Sequence, residues 1–157
     1  MSRKRKILCL LVGLAVVGGV ITTALLWPSF TATAPQGFAA YDNGRHEFRS
    51  VSPDGVVFAV RSENNKPKAE LSFWREALKK RMLDAGYTFI ADGDIRASDR
   101  AGYLLELAAP QGTMDYSYLI SVFVDGRTLV IAEAAGEVTK VRDRRKQIVT
   151  AMSAIRM

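Results

Sequence analysis

Residues 7–27, ILCLLVGLAVVGGVITTALLW, are 21 consecutive positions without a charge, and no other feature limits this chain as much. At roughly 1.5 Å per residue, a helix of that length reaches about 30 Å, the thickness of a bilayer's hydrocarbon core. Lipid offers the backbone no hydrogen-bond partner, so the segment from Ile7 to Trp27 is expected to close its bonds internally as a transmembrane helix. Trp27 stands where an indole prefers the interface, and Pro28 cannot continue the helix. Arg3, Lys4, Arg5 and Lys6 precede the span, whereas the next cation is Arg45. This asymmetry predicts a single-pass protein of the inner (cytoplasmic) membrane. Its N-terminus lies in the cytoplasm and its C-terminal domain is periplasmic or extracellular.

A cleaved signal peptide would export the same domain. Its apolar stretch is usually shorter, about 7 to 15 residues. The best small-x-small site, Ala32-Thr33-Ala34, is followed by Pro35, which disfavours cleavage there. Length and Pro35 together favour an uncleaved anchor. Cys9, the only cysteine, follows Lys6-Ile7-Leu8, which is not a lipid-attachment motif, so it is expected to face lipid as a small apolar residue.

The net charge of +6 is mostly a topology signal. Four of the 22 basic residues precede the span, leaving 18 basic against 16 acidic groups, or +2. No nucleic-acid partner is expected from that balance. Three parts follow: residues 1–28 as basic N-terminus and anchor, 29–45 as linker, and 46–157 as an extracytoplasmic domain. The linker, SFTATAPQGFAAYDNGR, shows no sustained period, and extended it would span about 55 Å. The domain is large enough for one hydrophobic core without staples.

Within the domain, residues 46–52 and 56–62 read as short strands around the Pro53-Asp54-Gly55 turn. Leu71, Trp74, Leu78, Met82 and Ala85 recur at helical spacing, predicting a helix over 69–85 that Gly86 caps, with Trp74 as a core anchor. A short strand at 87–91 is expected to end at an Asp92-Gly93-Asp94 turn. Strands at 102–108, 116–124 and 128–135 follow, the last two joined at Asp125-Gly126. A final amphipathic helix over 138–156 closes the chain. Hairpin-linked strands pair antiparallel. The fold class is therefore α+β, one antiparallel sheet whose apolar face is packed by two main helices.

Gly102-Tyr103, the tyrosines Tyr116 and Tyr118, the Asp125-Gly126 turn, Ala135-Gly136 and the closing helix to Ile155 form a pattern. It resembles the C-terminal half of the PsbP-like superfamily, which includes the DcrB-type bacterial envelope proteins. The resemblance implies a non-enzymatic accessory, assembly or binding role. The lipid-attachment cysteine of the DcrB type has no counterpart here.

Chemistry is sparse. The domain holds a single histidine, His46, and no cysteine, which excludes a Cys-His site and a multi-histidine zinc site. No phosphate loop or dinucleotide fingerprint is present. Asp92, Asp94 and Asp99 lack the ligand spacing of a calcium loop. No catalytic, metal or cofactor residues are assigned, and no cofactor is expected. Glu106 and Glu133 sit within apolar strands and, with Tyr116 and Tyr118, form a candidate cleft. Lys140, Arg142, Arg144, Arg145 and Lys146 form a candidate surface for an anionic face or an envelope protein partner. The expected function is a membrane-anchored binding or accessory module of the bacterial cell envelope. The alternatives are an extracytoplasmic hydrolase using the mid-strand glutamates, or a small subunit of a larger membrane complex.

Overall fold

The computed structural model describes residues 30–41, 47–111 and 114–157. The expected transmembrane span and His46 lie outside the described residues. Among those described, no helix is long and apolar enough to cross a membrane.

Seven strands form one antiparallel sheet: β1 (Ala39–Tyr41), β2 (Glu47–Val51), β3 (Val57–Asn64), β4 (Thr88–Ala97), β5 (Arg100–Gln111), β6 (Met114–Asp125) and β7 (Thr128–Glu137). Their spatial order is β1-β2-β3-β7-β6-β5-β4. Helix α1 (Leu71–Asp84) joins β3 to β4, and α2 (Val138–Ser153) follows β7. The fold is α+β, as expected, but the helices do not share a face.

The long central strands β5, β6 and β7 carry near-continuous apolar runs, a sign of burial on both sides. Tyr103, Leu105, Ile120, Val122 and Ile131 pack beneath α1. The intervening residues Leu104, Leu119, Phe123, Val130 and Ala132 pack beneath α2, with Phe58 and Val60 of β3. Helix α2 buries Val141, Ile148, Ala151 and Met152. Helix α1 buries no residue completely. Trp74 is therefore half-buried rather than the core anchor its spacing suggested, and the main core lies under α2.

Two loop assignments change. The stretch read as a linker is folded over 30–41: Phe30 lies in the α2 core, Thr31 bridges Arg156, and β1 pairs with β2. A short strap without helical or strand period leaves no sequence signal, because its order comes from docking on α2. Asp92-Gly93-Asp94 is no turn either. It lies inside β4, an edge strand whose carboxylates are held from α1, Asp92 by Lys79 at 3.0 Å and Asp94 by Arg75. An edge strand tolerates such residues because its outer side needs no packing.

The glycines of the Gly102-Tyr103 and Ala135-Gly136 pattern have steric causes. A side chain at Gly102 would overlap the ring of Phe123, its partner across β5 and β6. A Cβ at Gly136 would stand 3.1 Å from Val56 and 3.2 Å from Val141, where α2 leaves the sheet. Gly102→Val is expected to destabilise the domain by about 2–3 kcal/mol, the usual cost of overpacking a filled core. A denaturation midpoint equal to that of the parent chain would refute the close approach of Phe123. At the end of α1, Gly86 takes a φ of 90° and Tyr87 N–H donates to the Met82 carbonyl at 3.1 Å, closing the helix.

Candidate functional site

The sheet face beneath α1 is only half covered. The helix lies over β5 and β6, tied along one flank by the Lys79–Asp92 and Arg75–Asp94 pairs. Its other flank is open toward β7 and β3, leaving a groove of about 440 Å³. Trp74, Leu78 and Met82 form the helical wall, and Ile120, Leu129 and Ile131 the floor. The opposite wall is charged: Arg61 pairs with Glu133 and, at 3.0 Å, with Glu63. Arg81 stands at the mouth.

Asn65 positions the helical wall. It is buried at 5 % exposure, and all its polar atoms are used. Its Oδ1 accepts from Trp74 Nε1 at 2.8 Å and from Ala69 N–H at 3.1 Å. Its Nδ2 donates to the Ala69 and Gly126 carbonyls, each at 3.0 Å. One side chain thus joins the start of α1 to the β6–β7 turn. No sequence period marks such a residue.

The four candidate cleft residues separate. Glu106 pairs with Leu119 and Glu133 with Ile120. Adjacent residues of β6 point to opposite faces, so the two carboxylates lie on opposite sides of the sheet and cannot line one cleft. Glu106 faces α2, where Arg145 Nε and Nη2 both donate to its Oε1. Glu133 faces the groove with Tyr118. Tyr116 is half-buried at the far end of β6, opposite Glu137. The glutamate-pair hydrolase loses its geometric basis, because the paired groups its chemistry needs are separated by the sheet.

Tyr118 packs against Tyr87 with ring centroids 5.5 Å apart. Burial pushes its phenol up to about 12, an effect the nearby Arg61 charge partly offsets. The neutral form is therefore favoured in the folded state. Stability from this group is fully present below about pH 10, the unfolded value, and is lost as pH rises through about 12. Ultraviolet titration of Tyr118→Phe against the parent chain should remove one phenol that ionises late. Equal late-ionising absorbance in both chains would contradict the assignment. Tyr103, fully buried, donates to Asp92 at 2.8 Å. Burial and that carboxylate raise its phenol further, while Lys79 and Tyr103 lower Asp92.

The basic run of α2 is largely neutralised. Lys140 pairs with Glu137 at 2.9 Å, Arg144 with Asp54 at 3.0 Å, and Arg145 with Glu106. Arg142 lies 3.6 Å from Asp143, both exposed. The Ser52 hydroxyl, with Arg144, holds the Asp54 carboxyl below the usual range. Arg144 also lies over Phe38, 5.7 Å from the ring centre, clamping the strap. Only Lys146 of the five makes no ion pair among the described residues. Arg144 and Arg145 thus fasten α2 to the Asp54 turn, the strap and the sheet. Among the described residues, no group of three or more acidic, histidine or cysteine side chains is placed to hold a metal.

No protein-family model matches the chain, and no curated protein matches its sequence. Solved structures do match its fold. CyanoP, the cyanobacterial PsbP of Synechocystis, superposes with a TM-score of 0.58 at 13 % identity, covering 82 % of this chain and 86 % of its own. The fold is PsbP-like. LpqN of Mycobacterium tuberculosis, described as involved in cell envelope biogenesis, gives 0.61 at 5 % identity, covering 82 % of both chains. A Pseudomonas aeruginosa protein of unknown function, described as a putative regulator, gives 0.59 at 11 % identity, covering 74 % of this chain and 94 % of its own. The PsbP-like likeness expected from the C-terminal half thus extends, as fold, over most of the chain.

Proposed function

We propose that this chain is a membrane-anchored, extracytoplasmic binding module of the bacterial cell envelope, non-enzymatic, with the α1 groove as its working surface. The observation that carries the reading is the groove itself: an apolar floor beside a wall whose charges already satisfy one another. Arg61 is shared by Glu133 and Glu63, an arrangement suited to holding a partner's shape rather than to moving a proton. The fold shared with an envelope-biogenesis protein supports the same class of role without assigning a partner.

Two further observations support an uncleaved anchor at 7–27. The span's length and flanking charges are those of a transmembrane helix. Cleavage after Ala34 would also remove Phe30 from the core and break the Thr31–Arg156 bridge. A chain that must keep residue 30 has reason to keep what precedes it.

The groove is tested by photo-crosslinking in intact cells from a reactive residue placed at Arg81, with Thr139, exposed at the start of α2, as control. The expected result is a discrete adduct from position 81 alone, lost when Ala77→Trp fills the groove. Identical patterns from both positions would reject the groove as the working surface.

A further inference from the structure

The described chain enters its domain at a definite place. Phe30 is 6 % exposed within the α2 core, and Thr31 exchanges backbone hydrogen bonds with Arg156 at 2.8 and 3.0 Å. Only Pro28 and Ser29 separate Phe30 from Trp27, so their Cα atoms lie within about 11 Å of each other. If Trp27 marks the membrane interface, no tether lifts the domain away. The end of the sheet that holds Phe30 is then at the headgroups.

That end is defined by contacts. The β4–β5 turn is joined to the chain's C-terminal segment by the Ser98 hydroxyl, which donates to the Ile155 carbonyl at 3.1 Å. The same turn is joined to the β6–β7 turn by Arg100 and Asp125 at 2.9 Å. The loop before α1 is joined to the β6–β7 turn by Asn65, whose N–H donates to the Arg127 carbonyl at 2.9 Å. These segments lie at the same end of the sheet as the entry point.

Their charge is one-sided. Lys66, Lys68, Arg96, Arg127 and Arg156 are exposed there, and among the described residues none has a carboxylate partner. Arg96 bonds only the Asp99 carbonyl, at 3.1 Å. The carboxylates of the two turns, Asp99 and Asp125, are both taken by Arg100, leaving Glu70 as the free acid of the loop. At the opposite end, by contrast, Lys140 and Arg144 are neutralised by Glu137 and Asp54. Five unpaired cations thus gather where the chain enters, against only Lys146 on α2 and Arg81 on α1 elsewhere among the described residues.

We infer that this entry end rests on anionic lipid headgroups, bound through Lys66, Lys68, Arg96, Arg127 and Arg156. The inference depends on the anchor reading above. It fixes the orientation that such an anchor imposes: strands β3 to β7 point away from the bilayer, and the open mouth of the groove lies along the side of the domain. Anionic lipid attracts exposed cations within about a Debye length of its surface, and the short connection turns the end that carries these five toward that surface.

The test uses the full chain with Cys9→Ser, reconstituted in nanodiscs whose headgroups carry a quencher. A fluorophore is placed at Asn64→Cys or Thr139→Cys, both exposed. Asn64 pairs with Thr128 at the entry end, and Thr139 follows the far end of β7, roughly 30 Å along the strand. On discs containing phosphatidylglycerol, quenching at Asn64 should exceed that at Thr139 several-fold. The difference should shrink on phosphatidylcholine alone, and in the Lys66→Glu, Arg127→Glu variant, whose exposed sites leave melting unchanged. Equal quenching at both positions, or quenching indifferent to lipid charge, overturns the inference while the anchor stands. A chain that does not elute with the discs overturns the anchor reading and the orientation with it.

Discussion

Phe30→Ala is expected to cost about 3–5 kcal/mol, the usual range for truncating a buried aromatic. The side chain lies in the same core cluster as Ile148, Met152 and Ile155. Its loss also frees the first residues of a strap that is otherwise held by the Thr31–Arg156 bridge and the Arg144 clamp over Phe38. For a domain of this size, the melting temperature should fall by roughly 10 °C or more. The size of this effect separates two views of residues 30–41. A tether would tolerate the substitution with no change in melting, and that result would contradict a domain beginning at Phe30.

Asn65→Ala should destabilise by about 2–4 kcal/mol. The substitution removes four side-chain hydrogen bonds at once. It also leaves the Ala69 N–H, the Trp74 indole N–H and the Gly126 carbonyl without these partners at a half-buried site. Orphaned groups, more than lost bonds, set the cost. Asn65→Asp should not rescue it, because a carboxylate would face the Ala69 and Gly126 carbonyls that the amide now donates to. Thermal melting gives the magnitude, and a shifted Trp74 emission shows that the start of α1 has loosened. A loss below about 0.5 kcal/mol, typical of an exposed site, would contradict the hub.

What could be read in the sequence was local. The Asp125-Gly126 hairpin and the Gly86 cap announce themselves because turn chemistry demands particular residues at particular φ, and Gly126 and Gly86 do take positive φ. Both helices followed from their spacing. The two-sided sheet was signalled by YLLEL and LISVFV, runs too continuous for a strand with one wet face, although the expected sheet had a single apolar face. The edge strand β4 was hidden by Asp92-Gly93-Asp94, a triplet that spells a turn until Lys79 and Arg75 are brought across from α1. The strap was invisible because nothing in its own sequence orders it.

The candidate site was less legible, for a reason of parity. Whether Glu106 and Glu133 share a face depends on the pairing register of β5, β6 and β7, and a shift of one residue reverses the answer. No property of either glutamate carries that information. The basic run of α2 was equally ambiguous: its meaning depends on Asp54, Glu106 and Glu137, and the first two come from distant strands and turns. The groove with Arg61 and Glu133 lies 72 residues apart in the chain and needed the β3–β7 pairing to exist. Local sequence specifies the elements; long-range pairing brings the charged groups together.

Topology is the claim on which the rest depends, and one labelling measurement reaches it directly. The full chain carrying Cys9→Ser and Thr139→Cys is treated with a membrane-impermeant maleimide in intact spheroplasts, and the alkaline-washed membrane pellet is then examined. An anchored module facing outward predicts full labelling before lysis, on a protein that stays in the pellet. Labelling that appears only after lysis, or a labelled protein released to the supernatant, would contradict a membrane-anchored extracytoplasmic module.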